Sequence, residues 1–487
     1  QDIKYNPYFW DWGVKLIRTG LTYDDVLLVP KRTLLNSRKE ADIKTKFTKN
    51  IRLNTPLISS NMVSVTEHKM AIAMALEGGL GVIHQFNTPK EQAKEIKKVK
   101  KSTSYIVDSP LSVSKDITLK EAINVMDSEG ITSLLIKNGN GLEGILTLRD
   151  YSMEKDLTKK VSTLMTSKSN LITAEYGISL EDAKEILHKY KIEKLPLLHK
   201  GELKGLITRR DIKRRTQWPN ASRDKKGRLM VGGAVGVKDS LERAEALIAV
   251  GVDVIVLDIA HGHSNFVIKK LKELKKLNID IMVGNIATKT AAKDLIKAGA
   301  DGLKIGIGPS PVCTTRLMSG AGIPQLTAIM EVYSVAKKYN IPVCADGGAK
   351  YPGDVSKAIA AGASTVFSGS FFAGTSESPG LIITIEGKRY KRYMGSASYD
   401  SNHERKEKLE KRKHKEKLNI FVEGVSTLVD YKGPVKGIIS SLVKGLKSGI
   451  SYCGAKNLEE MKKNAEFIKT TTSGIIESKA RGKRLSD

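Results

Sequence analysis

Aromatic residues are scarce in this 487-residue chain, at 6%, and cysteines scarcer, at three. Cys313, Cys344 and Cys453 are an odd number, lack metal-ligand spacing and follow no export signal, which argues against a disulfide framework and points to reduced thiols. Also missing is any uninterrupted apolar run near the ~20 residues that span a bilayer. A soluble cytoplasmic protein with no membrane partner is therefore expected. Acidic residues are outnumbered, 53 against 81 Lys and Arg, giving a formal net charge of +28. The lysines are spread through helical stretches such as 90–101 and 267–276, without one aromatic-laced patch. A solvated lysine-rich surface is thus preferred over a nucleic-acid partner.

What the chain does have is enough apolar content, 40%, for a large core, and a length that suggests two domains. It also has an internal repeat. Ile117-Thr-Leu-Lys-Glu-Ala aligns without gaps on Ile178-Ser-Leu-Glu-Asp-Ala, and Gly144-Ile-Leu-Thr-Leu-Arg-Asp150 on Gly205-Leu-Ile-Thr-Arg-Arg-Asp211, both at an offset of 61. Each copy reads as an amphipathic helix, a short apolar strand (Ser133-Leu-Leu-Ile-Lys; Leu195-Pro-Leu-Leu-His), a hairpin, a second strand and a helix start. This resembles a tandem CBS pair, or Bateman module. The resemblance implies a regulatory purine nucleotide between the copies, with Asp150 and Asp211 near its ribose. The competing reading makes each aspartate an ordinary helix cap.

On either side of the repeat, strand-like runs alternate with longer helical patterns, the signature of βαβ units. The runs are Thr55–Ser60, Gly81–His84, Val252–Asp258, Ile279–Gly284, Gly302–Gly306, Pro342–Asp346 and Ser364–Gly369. This count suits an α/β (β/α)₈ TIM barrel with an inserted tandem CBS domain: residues 1–102 as its first part, 103–222 as the insert, and 223–487 as the remainder with a flap and C-terminal segment. Polar or glycine residues stand just past the strand ends: Ser59 to Asn61, His84, Asp258, Gly284 and Asn285, Gly306 and Gly308, Asp346 to Gly348, Gly369 and Ser370. In such a barrel these positions converge on the active-site face.

Two of them read as phosphate cradles, because small residues let backbone N–H groups approach an anion: Asp346-Gly-Gly-Ala and Ser368-Gly-Ser-Phe-Phe-Ala-Gly374. Between them in importance lies Gly306-Ile-Gly-Pro-Ser-Pro-Val-Cys313-Thr-Thr-Arg316, a loop that delivers a cysteine to that face. A thiolate there is a strong nucleophile if neighbouring charge activates it. By composition alone, such a cysteine is more often a small buried hydrophobe.

The segment resembles the cysteine loop shared by IMP dehydrogenases and GMP reductases. Leu21-Thr-Tyr-Asp-Asp-Val-Leu-Leu-Val-Pro30, Ser59-Ser-Asn-Met, Gly78-Gly-Leu-Gly-Val-Ile-His84, Asp258, Gly284-Asn285, Asp346-Gly-Gly and Gly433-Pro434 follow in family order, so the resemblance covers nearly the whole chain. It implies that Cys313 attacks carbon 2 of a purine nucleotide monophosphate and that Asp346 binds its ribose. Ser60, Met62, Gly348, Gly369 and Ser370 would hold the nucleotide and its phosphate. Asp258 and Asn285 would lie beside a nicotinamide cofactor, NADPH or NAD. Thr315 and Glu423 would manage a proton. Backbone carbonyls of Gly306, Gly308 and Cys313 would form a potassium (K+) site, completed across a subunit contact near Glu477 in a homotetramer or octamer.

The chain departs from the family pattern at Pro311, which removes a hydroxyl and an N–H, at Tyr393, usually a glycine, and at Lys304, often an arginine. The flap departs further. A dehydrogenase of this family uses an Arg-Tyr pair there to activate water; between Ser396 and Glu423 no such pair occurs, Arg405 and Arg412 being followed by lysines. The pattern is closest to GMP reductases that carry CBS modules, with the stretch Glu423-Gly-Val and the tail Ser473-Gly-Ile-Ile-Glu-Ser equally dehydrogenase-like. Three readings are carried forward: reduction of GMP, oxidation of IMP, and a nucleotide-sensing protein without catalysis.

Overall fold

The computed structural model describes residues 17–102, 106–108, 110–139, 141–210, 212, 217–410 and 422–478. Eight parallel strands close into a barrel: β1 (Leu57–Ser59), β2 (Leu80–Ile83), β3 (Gly232–Val235), β4 (Val254–Asp258), β5 (Asp280–Ile286), β6 (Gly302–Ile305), β7 (Val343–Asp346) and β8 (Thr365–Ser368). Parallel pairing closes the ring, from Ser368 beside Ser59 to Gly233 beside Ile83, with one register shift between Gly284 and Ile286 where β5 meets β6.

Why these runs become strands is visible in their burial. All four residues of β2, β3, β6 and β8 are buried, because the inner face fills the barrel and the outer face meets helices. Inside, Ile58, Leu80, Val82, Val254, Val256, Met282, Cys344 and Phe367 form one apolar cluster. Outside, Ile96, Val99, Leu247, Leu271, Leu295 and Ile329 pack helices onto the strands. At about 1.5–3 kcal/mol for each fully buried aliphatic side chain, this double shell is the main source of the barrel's stability.

One strand lay outside the sequence expectation. β3, within Val231-Gly-Gly-Ala-Val, carries two glycines that dilute its apolar signal. The space explains them: a Cβ on Gly233 would lie 2.6 Å from Leu247 Cδ1 and 3.3 Å from Ile96 Cδ1, where two helices pack, and one on Gly232 would lie 3.1 Å from Val82 Cγ2 and 3.3 Å from Val254 Cγ1 of the flanking strands.

Between β2 and β3 the chain builds a separate eight-stranded sheet from the repeats. The hairpin Ser133–Asn138 and Gly141–Thr147 recurs as Lys194–His199 and Glu202–Thr208 at the predicted offset. Ile106–Asp108, ahead of the first copy, pairs with the hairpin of the second, and Thr166–Ser167, ahead of the second, pairs with that of the first. Each copy buries its own helix, Leu119–Glu129 or Leu180–Lys189, and a third cluster around Leu135, Leu142 and Ile145 joins the copies.

The lobe's two junctions are stitched together. Helix Pro89–Lys101, set by its Thr88 cap, leads into it; Lys100 near that helix's end is 3.1 Å from Asp224, beyond the lobe, and 2.5 Å from Asp253 at the start of β4. Buried at 3% of its side chain, Lys100 fixes the exit beside the entrance. Among the described residues, no helix is long and apolar enough to cross a membrane.

Candidate functional site

Residues following all eight barrel strands surround one cavity of about 490 Å³ at the carboxyl face, a volume suited to a small-molecule ligand. Ser60 and Met62 border it after β1, Asp258 at the end of β4, Asn285 in β5, Gly306 and Gly308 after β6, Asp346 at the end of β7, and Gly369 and Ser370 after β8. Cys313, Thr315 and Glu423 complete the wall. Gly348 borders an adjoining hollow that shares Pro309, Pro311 and Ser370 with it. Ser59 and His84 do not border the cavity. Both are fully buried, Ser59 accepting from Thr66 Oγ1 at 2.9 Å and His84 Nδ1 from the Phe86 amide at 3.3 Å.

The cysteine loop is shaped by what it must pass. Gly306 has φ 141°, and a Cβ there would strike the Asp346 carbonyl at 2.3 Å, so only glycine fits. Beyond it, Cys313 is clamped by the stretch after the flap: the Thr314 amide donates to the Glu423 carbonyl at 2.9 Å, and that of Val425 to the Val312 carbonyl at 3.0 Å. This pairing brings three side chains into line. Cys313 Sγ lies 3.2 Å from Thr315 Oγ1, which donates to Glu423 Oε2 at 3.0 Å. Residues 108 apart in sequence thus form a thiol–hydroxyl–carboxylate chain at the cavity wall. Such a chain can move a proton to or from whatever the sulfur attacks.

Opposite stands a polar group around Asp346. Its Oδ2 accepts from Lys304 Nζ at 2.6 Å and Asn285 Nδ2 at 2.9 Å, while Asn285 also donates to the Gly306 carbonyl at 2.7 Å. Asn285 Oδ1 is buried with no hydrogen-bond partner among the described residues, in a residue that borders the cavity. At the far end, the Tyr393 phenol reaches Gly369: a Cβ on that glycine would lie 2.6 Å from its oxygen. Burial pushes this phenol up to about 12, with Ser310 hydrogen-bonded to it, so it remains a proton donor at neutral pH.

Comparison with known families bears on this arrangement. The IMP dehydrogenase / GMP reductase domain model matches residues 20–481. The chain belongs to that family. Among curated relatives, the inosine-5'-monophosphate dehydrogenase of Nitrosopumilus maritimus is 46% identical over 473 residues, covering 95% of this chain and 98% of the relative. That of Aquifex aeolicus is 47% identical over 472 residues, covering 95% and 96%. Among solved structures, a cysteine-to-alanine variant of Trypanosoma brucei GMP reductase in complex with guanosine 5'-monophosphate superimposes with a TM-score of 0.88 at 40% identity, covering 96% of this chain and 99% of that one. The same reductase with guanosine 5'-triphosphate gives 0.76 at 38% identity, covering 93% and 98%.

Within this IMP dehydrogenase / GMP reductase member, sequence reading overlooked several residues at the cavity. Gln85 and Asn402 border it without having been singled out as contacts, Lys304 and Tyr393 were noted only as departures, and Arg405, the flap residue that would activate water in a dehydrogenase, also borders it. For Lys304 a signal existed: a lone cation inside Gly302-Leu-Lys-Ile is buried at 2% exposure, and a buried charge demands partners. In the lobe, Asp150 serves as a cap, its Oδ2 accepting from the Thr147 amide at 2.6 Å and hydroxyl at 2.7 Å. Asp211 and Arg412 lie outside the described residues.

Proposed function

We propose that the protein converts GMP to IMP and ammonia at the expense of NADPH, through a covalent adduct on Cys313. The observation that carries this is the Cys313–Thr315–Glu423 chain at a cavity whose flap, residues 396–423, contains no Arg-Tyr pair. Sulfur adds to carbon 2, and the 2-amino group leaves as ammonia, taking a proton delivered by Thr315 with Glu423 behind it. NADPH, when bound beside Asp258 and Asn285, supplies the hydride that reduces carbon 2. The carbon–sulfur bond then breaks, returning the pair of electrons to the Cys313 thiolate. The balance is GMP, NADPH and two protons giving IMP, NADP+ and ammonium.

In this reading Asp346 takes the ribose hydroxyls, and Ser60, Met62, Gly348, Gly369 and Ser370 hold the nucleotide, with the Tyr393 hydroxyl beside the phosphate cradle where Pro311 offers no N–H. The carbonyls of Gly306, Gly308 and Cys313 hold K+. That of Gly306 already accepts from Asn285 and offers its second lone pair. Glu477, exposed at the end of helix Thr472–Glu477, completes this site across a subunit contact in a tetramer or octamer. The lobe of residues 103–222 acts as a CBS pair binding a regulatory nucleotide.

Oxidation of IMP with NAD is the second reading, favoured by the 46–47% identical relatives, which are inosine-5'-monophosphate dehydrogenases. A sensor without catalysis is disfavoured by the unbroken relay. Parallel assays of GMP with NADPH and of IMP with NAD decide between them. We expect ammonia and NADP+ in multiple turnovers from the first, and at most a burst of NADH from the second. Sustained formation of XMP with no ammonia from GMP would reverse the assignment.

A further inference from the structure

Lys304 is a buried charge at the cavity wall, and its surroundings are unusual for an ammonium. Below it lies the apolar barrel interior, with the Phe367 ring centroid 4.8 Å from Nζ. Above it, Asp258 Oδ1 from β4 lies 2.8 Å away and Asp346 Oδ2 from β7 lies 2.6 Å away. Two carboxylate oxygens within 2.8 Å thus replace the water that the buried ammonium has lost.

The bonding pattern shows what this achieves. On Asp346, both contacts fall on Oδ2, and among the described residues nothing occupies Oδ1, which is left for a ligand. On Asp258, Oδ1 takes Lys304 while Oδ2 accepts from Asn61 at 2.8 Å. Each carboxylate is therefore held in rotation by one amide of its own, Asn285 on Asp346 and Asn61 on Asp258, and by one point charge that the two share. The chain's reach from β6 is set by the strand itself, whose Lys304 Cβ and carbonyl sit 2.7 Å and 2.4 Å from where a Cβ on Gly284 would be.

We propose that Lys304 is a positioning residue for both ligands at once, orienting Asp346 toward the purine nucleotide and Asp258 toward the nicotinamide nucleotide. This rests on the reading of those two aspartates given above and adds the element that links them. A buried ion pair that served stability alone would leave affinities unchanged when altered without unfolding. A shared positioning cation predicts instead that one substitution weakens two different ligands.

The test measures binding by calorimetry of GMP and, separately, of NADP+ to the full chain and to K304M, K304R, D258N, D346N and D258N/K304M, each checked for a cooperative melt. D346N should weaken GMP only, and D258N should weaken NADP+ only. K304M should weaken both by roughly tenfold or more, the scale of a lost charge-assisted hydrogen bond. K304R, which keeps the charge in a planar group, should recover at least half of each loss on a logarithmic scale. Should K304M fail to fold, D258N/K304M removes one charge of each sign and should still bind GMP about tenfold more weakly than D258N, although Asp346 is untouched. If the two aspartate variants behave as stated but K304M, or failing it the double variant, leaves affinity within about threefold, the positioning role is refuted while the site reading stands. If D346N spares GMP and D258N spares NADP+, the site reading itself falls and takes this role with it.

Discussion

Replacing Glu423 by glutamine tests the relay most directly, because it alters protonation and almost nothing else. Glu423 Oε2 accepts from Thr315 Oγ1 at 3.0 Å, and a glutamine carbonyl oxygen can accept the same bond. The backbone contact of Glu423 with Thr314, which clamps the cysteine loop, is unaffected by the side chain. What disappears is a group able to give up and take back a proton behind the threonine. A positioned proton donor contributes about 10²–10⁴-fold in rate, equivalent to about 3–5 kcal/mol of barrier. The ammonia-releasing step of E423Q should slow by that amount, read by quenched-flow detection of ammonia in a single turnover, with GMP affinity within about threefold of the parent. Thr315→Val interrupts the same chain one link nearer Cys313 Sγ, which lies 3.2 Å from the threonine oxygen. Since the two groups act in series, the double variant should be no slower than the worse single one. Ammonia release within threefold of the parent in E423Q, or multiplied losses in the double variant, would refute the relay.

Cys313→Ala should abolish turnover while GMP binding by calorimetry stays within about tenfold, since attack and binding use different groups; substantial activity would sink the covalent route. In native protein at pH 8, iodoacetamide should label Cys313, which is partly exposed, and spare Cys344. Burial pushes the Cys344 thiol up to about 12, so it is almost wholly protonated at pH 8. Mass spectrometry finding Cys344 labelled first would contradict this, as would failure of GMP to protect Cys313. Excising about residues 103–216 and joining the ends with a short linker should leave a folded barrel with activity in the parent's range, because Ala221 and Ser222 beyond the cut are buried against the barrel. A soluble but inactive product would make the lobe part of the catalytic unit.

The strand ends were legible because barrel strands are mostly apolar and stop at a polar or glycine residue, as at Asp258 and Asp346. The repeat was legible because a fixed offset needs no propensity argument. β3 escaped because its glycines answer to neighbours elsewhere in the chain, Gly233 to Leu247 and Ile96 on two helices and Gly232 to Val82 and Val254 on the flanking strands. His84 and Asn285 illustrate the limit at the site: both stand near strand ends, yet only Asn285 reaches the cavity, and which way a side chain turns there depends on tertiary neighbours. Likewise Tyr393 read as a loss, a bulky residue for a glycine, until the fold placed its hydroxyl beside Gly369.

The stitch of Lys100 to Asp224 and Asp253 has a consequence for how this molecule can be wired. Asp253 precedes the first residue of β4 and Asp258 is its last, so one five-residue strand carries the lobe's fastening at its foot and a wall of the reaction chamber at its head. The socket and the chamber occupy opposite poles of the barrel, joined by rigid hydrogen-bonded rods. A lobe plugged in at that pole stands a full strand length away from Cys313, so exchanging or shortening it is expected to leave the geometry around the cysteine as it is.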